Sequence, residues 1–87
     1  MYRYEDLKPQ LFTDEGQRLL LKVRDQVHSL LKQAGAVRMQ EATKGFSGMS
    51  WEIMACVDRL VELGELREIT AGNEVPGQYR IFVSTKE

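Results

Sequence analysis

The segment formed by residues 49–83 constrains the fold of this chain most strongly, because its pattern changes from helical to strand-like at one glycine. Apolar side chains recur at the i, i+4, i+7 and i+8 positions of an α-helix, and this spacing buries a single stripe. Gly64 follows the stripe, where helices commonly end on a left-handed residue without a Cβ. The pattern therefore predicts a helix with one buried face, formed by Ile53, Val57, Leu60 and Val61.

A hairpin is predicted directly after this helix. Leu66 and Ile69 belong to a short β-type run, and residues 79–83 form the returning strand. Residues 71–77 between them contain two glycines, an asparagine and a proline, a composition that is typical of a turn.

Upstream, residues 13–35 predict a long amphipathic helix with recognisable ends. Thr13 is a good N-cap, and the two acids after it suit the positive end of the helix dipole. Gly35 ends the helix. Leu19 and Leu21 flank the apolar stripe, so we expect this helix to bury two sides. The stripe itself consists of Leu20, Val23, Val27, Leu30, Leu31 and Ala34.

Two shorter elements are predicted between the long helices. Residues 36–38 form a short strand, and residues 39–45 form a weak helix in which Met39 and Ala42 face inward. The glycine-rich link at residues 45–49 then leads into the stripe-bearing helix.

Size and composition favour one soluble domain with few options for catalysis. The 87 residues suffice for a single core, which we assign to residues 13–87. The apolar lead-in at residues 1–12 is expected to lie against the domain or a partner. No apolar run approaches the roughly 20 residues of a membrane span, and the single cysteine fits a cytoplasmic location. His28 is expected on a half-exposed flank and Cys56 in the core, so we expect no enzyme, no metal site and no cofactor.

The residues around Gly64 also resemble a known family. Val57, Leu60, Gly64 and Leu66 follow the Leu-x-x-Leu-x-x-x-Gly-x-Leu type signature that ends the third helix of winged-helix proteins. This resemblance implies an α+β fold of three helices and a small antiparallel sheet, whose hairpin is the wing. It also implies a small DNA-binding regulator of transcription, because most members of the family bind DNA.

In the family, the outward face of the third helix enters the major groove, and the wing contacts phosphates or the minor groove. Carried over to this chain, the resemblance implies contacts from the outward face, from the residues before the third helix and from the wing strands. These residues are Lys44, Ser47, Ser50, Trp51, Ala55, Arg59, Arg67 and Arg80. For Lys44, Arg67 and Arg80 the alternative is an ordinary solvated surface charge.

Charge supports a different function for the same scaffold. Residues 49–79 carry six acidic side chains against two basic ones, whereas residues 1–48 carry eight basic against six acidic. Non-specific DNA affinity comes largely from lysine and arginine, so an acidic third helix is a poor surface for phosphates. The alternative is a protein-interaction module without strong DNA binding, which would bind a protein partner or a second copy. We expect neither a membrane partner nor a small-molecule ligand.

Trp51 has three interpretations, because helical spacing directs it away from the core. It is covered by the lead-in with its aromatic residues, or it contacts a protein partner or second copy, or it contacts DNA.

Overall fold

The computed structural model describes residues 2–46, 50–70 and 75–85, and within these ranges the chain forms four helices and three strands. The predicted α+β class is confirmed. The helices are α1 (Tyr4–Leu7), α2 (Asp14–Ala34), α3 (Met39–Thr43) and α4 (Ser50–Glu62). The strands are β1 (Val37–Arg38), β2 (Leu66–Glu68) and β3 (Ile81–Ser84), and short 3₁₀ turns occupy Lys8–Phe12 and Gly77–Tyr79.

Both predicted ends of α2 are confirmed. The Thr13 hydroxyl accepts a hydrogen bond from the Gly16 amide at 3.0 Å, which satisfies one of the free amides of the first turn. At the other end, Gly35 adopts a left-handed conformation with φ 78°, and its amide donates to the Leu31 carbonyl. The expectation that α2 buries two sides is wrong for Leu21, which is exposed, whereas Leu19 is partly buried against the core. Ala34, which the sequence assigns to the stripe, is also exposed. Within the described part of the chain, no helix is long and apolar enough to cross a membrane.

The predicted stripe of α4 is also confirmed. Ile53, Val57 and Leu60 are buried, and Gly64 follows with φ 81°. Cys56 is fully buried beside the stripe, as expected for a small apolar residue, and burial raises the pKa of its thiol to about 12. Contacts with α2 and α3 surround this face, so α4 lies at the centre of the helical layer.

The sheet has β3 in its centre, antiparallel to β1 on one side and to β2 on the other. Val37 pairs with Phe82, which is fully buried and joins the sheet to the helical core. The returning strand begins two residues later than predicted, because Gly77–Tyr79 forms a 3₁₀ turn. Of the predicted turn, residues 71–74 lie outside the described residues.

The N-terminal segment, defined here as residues 2–12, lies against the domain, as expected for an apolar lead-in. Leu11 is buried in the core cluster, and its carbonyl accepts a hydrogen bond from the Gln17 side chain. The one-turn helix α1 was not predicted, since four residues are too few to show a helical period.

Gly16 explains how this segment can approach α2 so closely. A Cβ built on Gly16 would lie 2.0 Å from the Gln10 carbonyl oxygen and 2.7 Å from the Leu11 Cα. Both are backbone atoms of the first 3₁₀ turn, so they cannot rotate away as a flexible side chain would. The absence of a side chain at Gly16 is therefore what admits the N-terminal segment.

We predict that Gly16→Ala destabilises the protein by about 1–3 kcal/mol, the range for forcing extra atoms into a packed site. In an open helix the same change would stabilise by up to about 1 kcal/mol, so the sign of the effect tests the contact. Chemical denaturation measures the change in the free energy of unfolding. The control is Ser29→Ala at an exposed α2 position, whose free energy of unfolding should lie within about 0.5 kcal/mol of the wild-type value. A stabilising Gly16→Ala would show that the segment does not rest on α2.

Candidate interaction surface

The N-terminal segment lies across the outward face of α4, the face that the sequence predicts as the contact surface. The Tyr2 hydroxyl donates a hydrogen bond to Asp58 at 2.5 Å, and the Tyr4 hydroxyl donates to Glu62 at 2.9 Å. The Lys8 ammonium lies 2.8 Å from the second oxygen of Glu62. Burial and the hydrogen bond to Glu62 together raise the pKa of Tyr4 to about 12.

Arg59 is held on the same face by a cation–π contact and an ion pair. Its guanidinium lies 5.1 Å from the centre of the Phe12 ring, and its Nη1 lies 2.6 Å from Glu62. Arg59 was predicted to be available for DNA, but its side chain is engaged with residues of the chain itself.

Ala55 corrects the predicted contact surface. At about 100° per residue it lies about 20° from Glu62 around the helix, so it belongs to the outward face. It is nevertheless fully buried. The N-terminal segment contacts α4 on this side, so the face is covered and Ala55 cannot contact a partner in this arrangement. The predicted role of Ala55 as a contact residue is therefore wrong.

Arg80 is neither a free wing cation nor a solvated charge, so both predictions for it are wrong. Only 15% of its side chain is exposed. Its Nη2 lies 2.8 Å from Asp58 of α4 and 2.8 Å from Glu68 of β2, and Thr70 also donates to Glu68. Burial disfavours the charged guanidinium, but the hydrogen bonds to Glu68 and Asp58 outweigh it and raise the pKa of Arg80.

The remaining predicted site residues are Trp51, Ser50, Lys44, Arg67 and Ser47, and all of those that the structure describes are exposed. Trp51 is 39% exposed, so the interpretation in which the lead-in makes it internal is wrong. Ser50, Lys44 and Arg67 are exposed. Ser47 lies outside the described residues.

Phe12, Leu21 and Leu63 are apolar side chains that are each about half exposed, and we call them the apolar patch. Phe12 contacts the Arg59 guanidinium, and Leu63, the residue after α4, donates its amide to the Arg59 carbonyl. On α2, Leu21 lies one helical turn after Gln17. The Gln17 side chain donates a hydrogen bond to the carbonyl of Leu11, the residue before Phe12. In the sequence Leu21 is visible as a leucine beside the α2 stripe, but the pattern predicts it to be buried.

A cleft opens beside the same segment, bounded by the first turns of α2 and α4. Its volume is about 270 Å³. Three leucines, two carboxylates, two neutral polar residues and a glycine line it, namely Leu7, Leu11, Leu19, Glu15, Glu52, Gln10, Thr13 and Gly16. Sequence reasoning missed the cleft, because the fold brings residues 7–19 next to Glu52, which is distant from them along the chain.

Comparison with known proteins does not assign this surface. No family model, no curated protein and no solved structure matches the chain.

The contacts of Glu62 predict how stability depends on pH. Hydrogen bonds from Lys8, Arg59 and Tyr4 lower the pKa of Glu62 from 4.5 to about 2. Because the folded pKa lies below the unfolded one, this carboxylate stabilises the protein above pH 4.5, and its contribution disappears as the pH falls towards 2. We expect Glu62→Gln to be less stable than wild type at pH 7 and equal to it near pH 2.

Chemical denaturation at several pH values between 7 and 2 measures this convergence. Glu5→Gln is the control, because among the described residues no cation lies within 4.0 Å of Glu5. Parallel stability curves for wild type and Glu62→Gln would contradict the assigned contacts.

Proposed function

We propose that this chain is a protein-interaction module on a winged-helix scaffold and does not read DNA through α4. The order of elements from α2 to β3 supports the scaffold. The short strand β1 lies between α2 and α3, and α4 leads into a hairpin of two antiparallel strands. These are the features that the resemblance around Gly64 implies.

The observation that carries the proposal is the covered face of α4. A helix reads the major groove with exposed side chains that reach the edges of the bases. On α4, Ala55 is buried, and Asp58, Arg59 and Glu62 are engaged by the N-terminal segment or by Arg80. A duplex would have to displace this segment, together with the buried Leu11, before it met α4.

Electrostatics favours the same conclusion. Duplex affinity requires lysine and arginine side chains that can approach phosphates. Arg59 pairs with Glu62, and Arg80 pairs with two carboxylates, so two of the predicted phosphate contacts are neutralised within the chain. Arg67 and Lys44 stay exposed, but they lie on different elements, β2 and the end of α3.

The apolar patch supports protein binding in place of DNA binding. Phe12, Leu21 and Leu63 are each about half exposed, and Phe12 and Leu63 adjoin the partly exposed Arg59. Aromatic residues and arginine are enriched in the buried centres of protein interfaces, where apolar surface is removed from water. A partner that covers this patch would also cover Arg59 and the ring that stacks on it.

We predict that affinity for generic duplex DNA is weaker than the usual non-specific range of about 10⁻⁴–10⁻⁶ M at physiological salt. Titration of a labelled duplex at low and at physiological salt measures it. Micromolar or tighter binding with a steep salt dependence, lost in an Arg67→Ala or Lys44→Ala variant, would restore the DNA-binding regulator.

We also predict that the double variant Leu21→Ser/Leu63→Ser loses a protein that wild type captures from extracts of the source cells, as quantified by mass spectrometry. Ile69→Ser is the matched control, because Ile69 is equally exposed but lies after β2. The free energy of unfolding of both variants should lie within about 0.5 kcal/mol of the wild-type value, as is usual for substitutions at exposed sites. If the partner is a second copy of the chain, the sedimentation coefficient of wild type should depend on protein concentration, and that of the double variant should not. Identical captured proteins for all three chains, without self-association, would contradict the apolar patch.

A further inference from the structure

The cleft beside the N-terminal segment has the composition of a site for an aliphatic cation. Three leucines, Leu7, Leu11 and Leu19, supply apolar walls from the N-terminal segment and α2. Glu15 and Glu52 line the same space, within the first turns of α2 and α4. Helix dipoles favour negative charge in both positions.

These two carboxylates differ from the other acids that surround α4. Asp58, Glu62 and Glu65 each lie within 3 Å of a lysine or arginine nitrogen. For Glu15 and Glu52, by contrast, no cation lies within 4.0 Å among residues 2–46, 50–70 and 75–85. The cleft therefore carries negative charge that no described side chain balances.

We propose that the cleft receives the side chain of a lysine in a basic segment of the partner protein; this inference rests on the proposed interaction function. The four methylenes of lysine pack along apolar surface while the ammonium stays at its edge. Here the methylenes lie against the leucines, and the ammonium meets Glu15 and Glu52. A neutral apolar side chain fills the same walls but leaves both carboxylates without a cation.

The proposal is tested with n-butylammonium, which is the lysine side chain alone, in an NMR titration of the ¹⁵N-labelled chain. At about 0.8 kcal/mol per heavy atom, within the usual range for small ligands, a ligand of five heavy atoms binds with a Kd of about 1 mM, so the titration extends to about 50 mM. We expect saturable shifts of the amides of Gly16, Leu19 and Glu52, and shifts several-fold smaller with the neutral isostere 1-butanol.

Variants assign the binding to the two carboxylates. Glu15→Gln/Glu52→Gln should lose the butylammonium shifts, whereas Glu5→Gln/Asp25→Asn, with the same change in net charge at exposed sites, should keep them. Equal shifts with 1-butanol, unchanged shifts in the double glutamine variant, or no shift at the cleft would each overturn the proposal.

Failure of the lysine site and failure of the proposed interaction function give different experimental results. Butylammonium binding at the cleft combined with tight duplex binding would retain the lysine site and remove the interaction module. Weak duplex binding and a partner dependent on the apolar patch, without butylammonium binding, would retain the module and remove the lysine site.

Discussion

The ion cluster around Arg80 is the interaction on which the rest of this surface depends. One guanidinium joins Asp58 of α4 to Glu68 of β2, and Asp58 also accepts the hydrogen bond from Tyr2. Partly buried charges of this kind contribute little net stability as a set, but removing one partner leaves the others uncompensated, typically at about 3–5 kcal/mol. Through Arg80 and Asp58 the hairpin, α4 and the N-terminal segment are therefore linked in one network, which adds to the contacts of Glu62 and Leu11.

Much of the scaffold could be predicted, because its determinants are local. Thr13 caps α2 through an amide three residues away, and Gly35 and Gly64 end their helices in the left-handed conformation that favours glycine. The buried stripe centred on Leu60 follows from helical spacing alone. In each case the deciding contact lies within a few residues, where a sequence pattern can record it.

The candidate site could not be predicted to the same extent, because its contacts join distant residues. Helical spacing correctly directs Ala55 away from the stripe, but it cannot show that residues 2–12 return to cover it. One signal was present in the uneven distribution of charge along the chain, which the sequence analysis uses only as an argument for weak DNA binding. The structure gives it a further meaning: basic residues of the first half, Lys8 and Arg24, pair with Glu62 and with Glu65.

The sheet has a consequence for how any partner can attach. Within the described residues, β1 and β2 form its two edges, and they contain only two and three residues. An incoming peptide that extends a sheet needs a longer row of free backbone amides and carbonyls than such edges present. For the proposed interaction function, recognition would therefore depend on side chains, and its specificity could change by surface substitution while the backbone ladder of the sheet stays as it is.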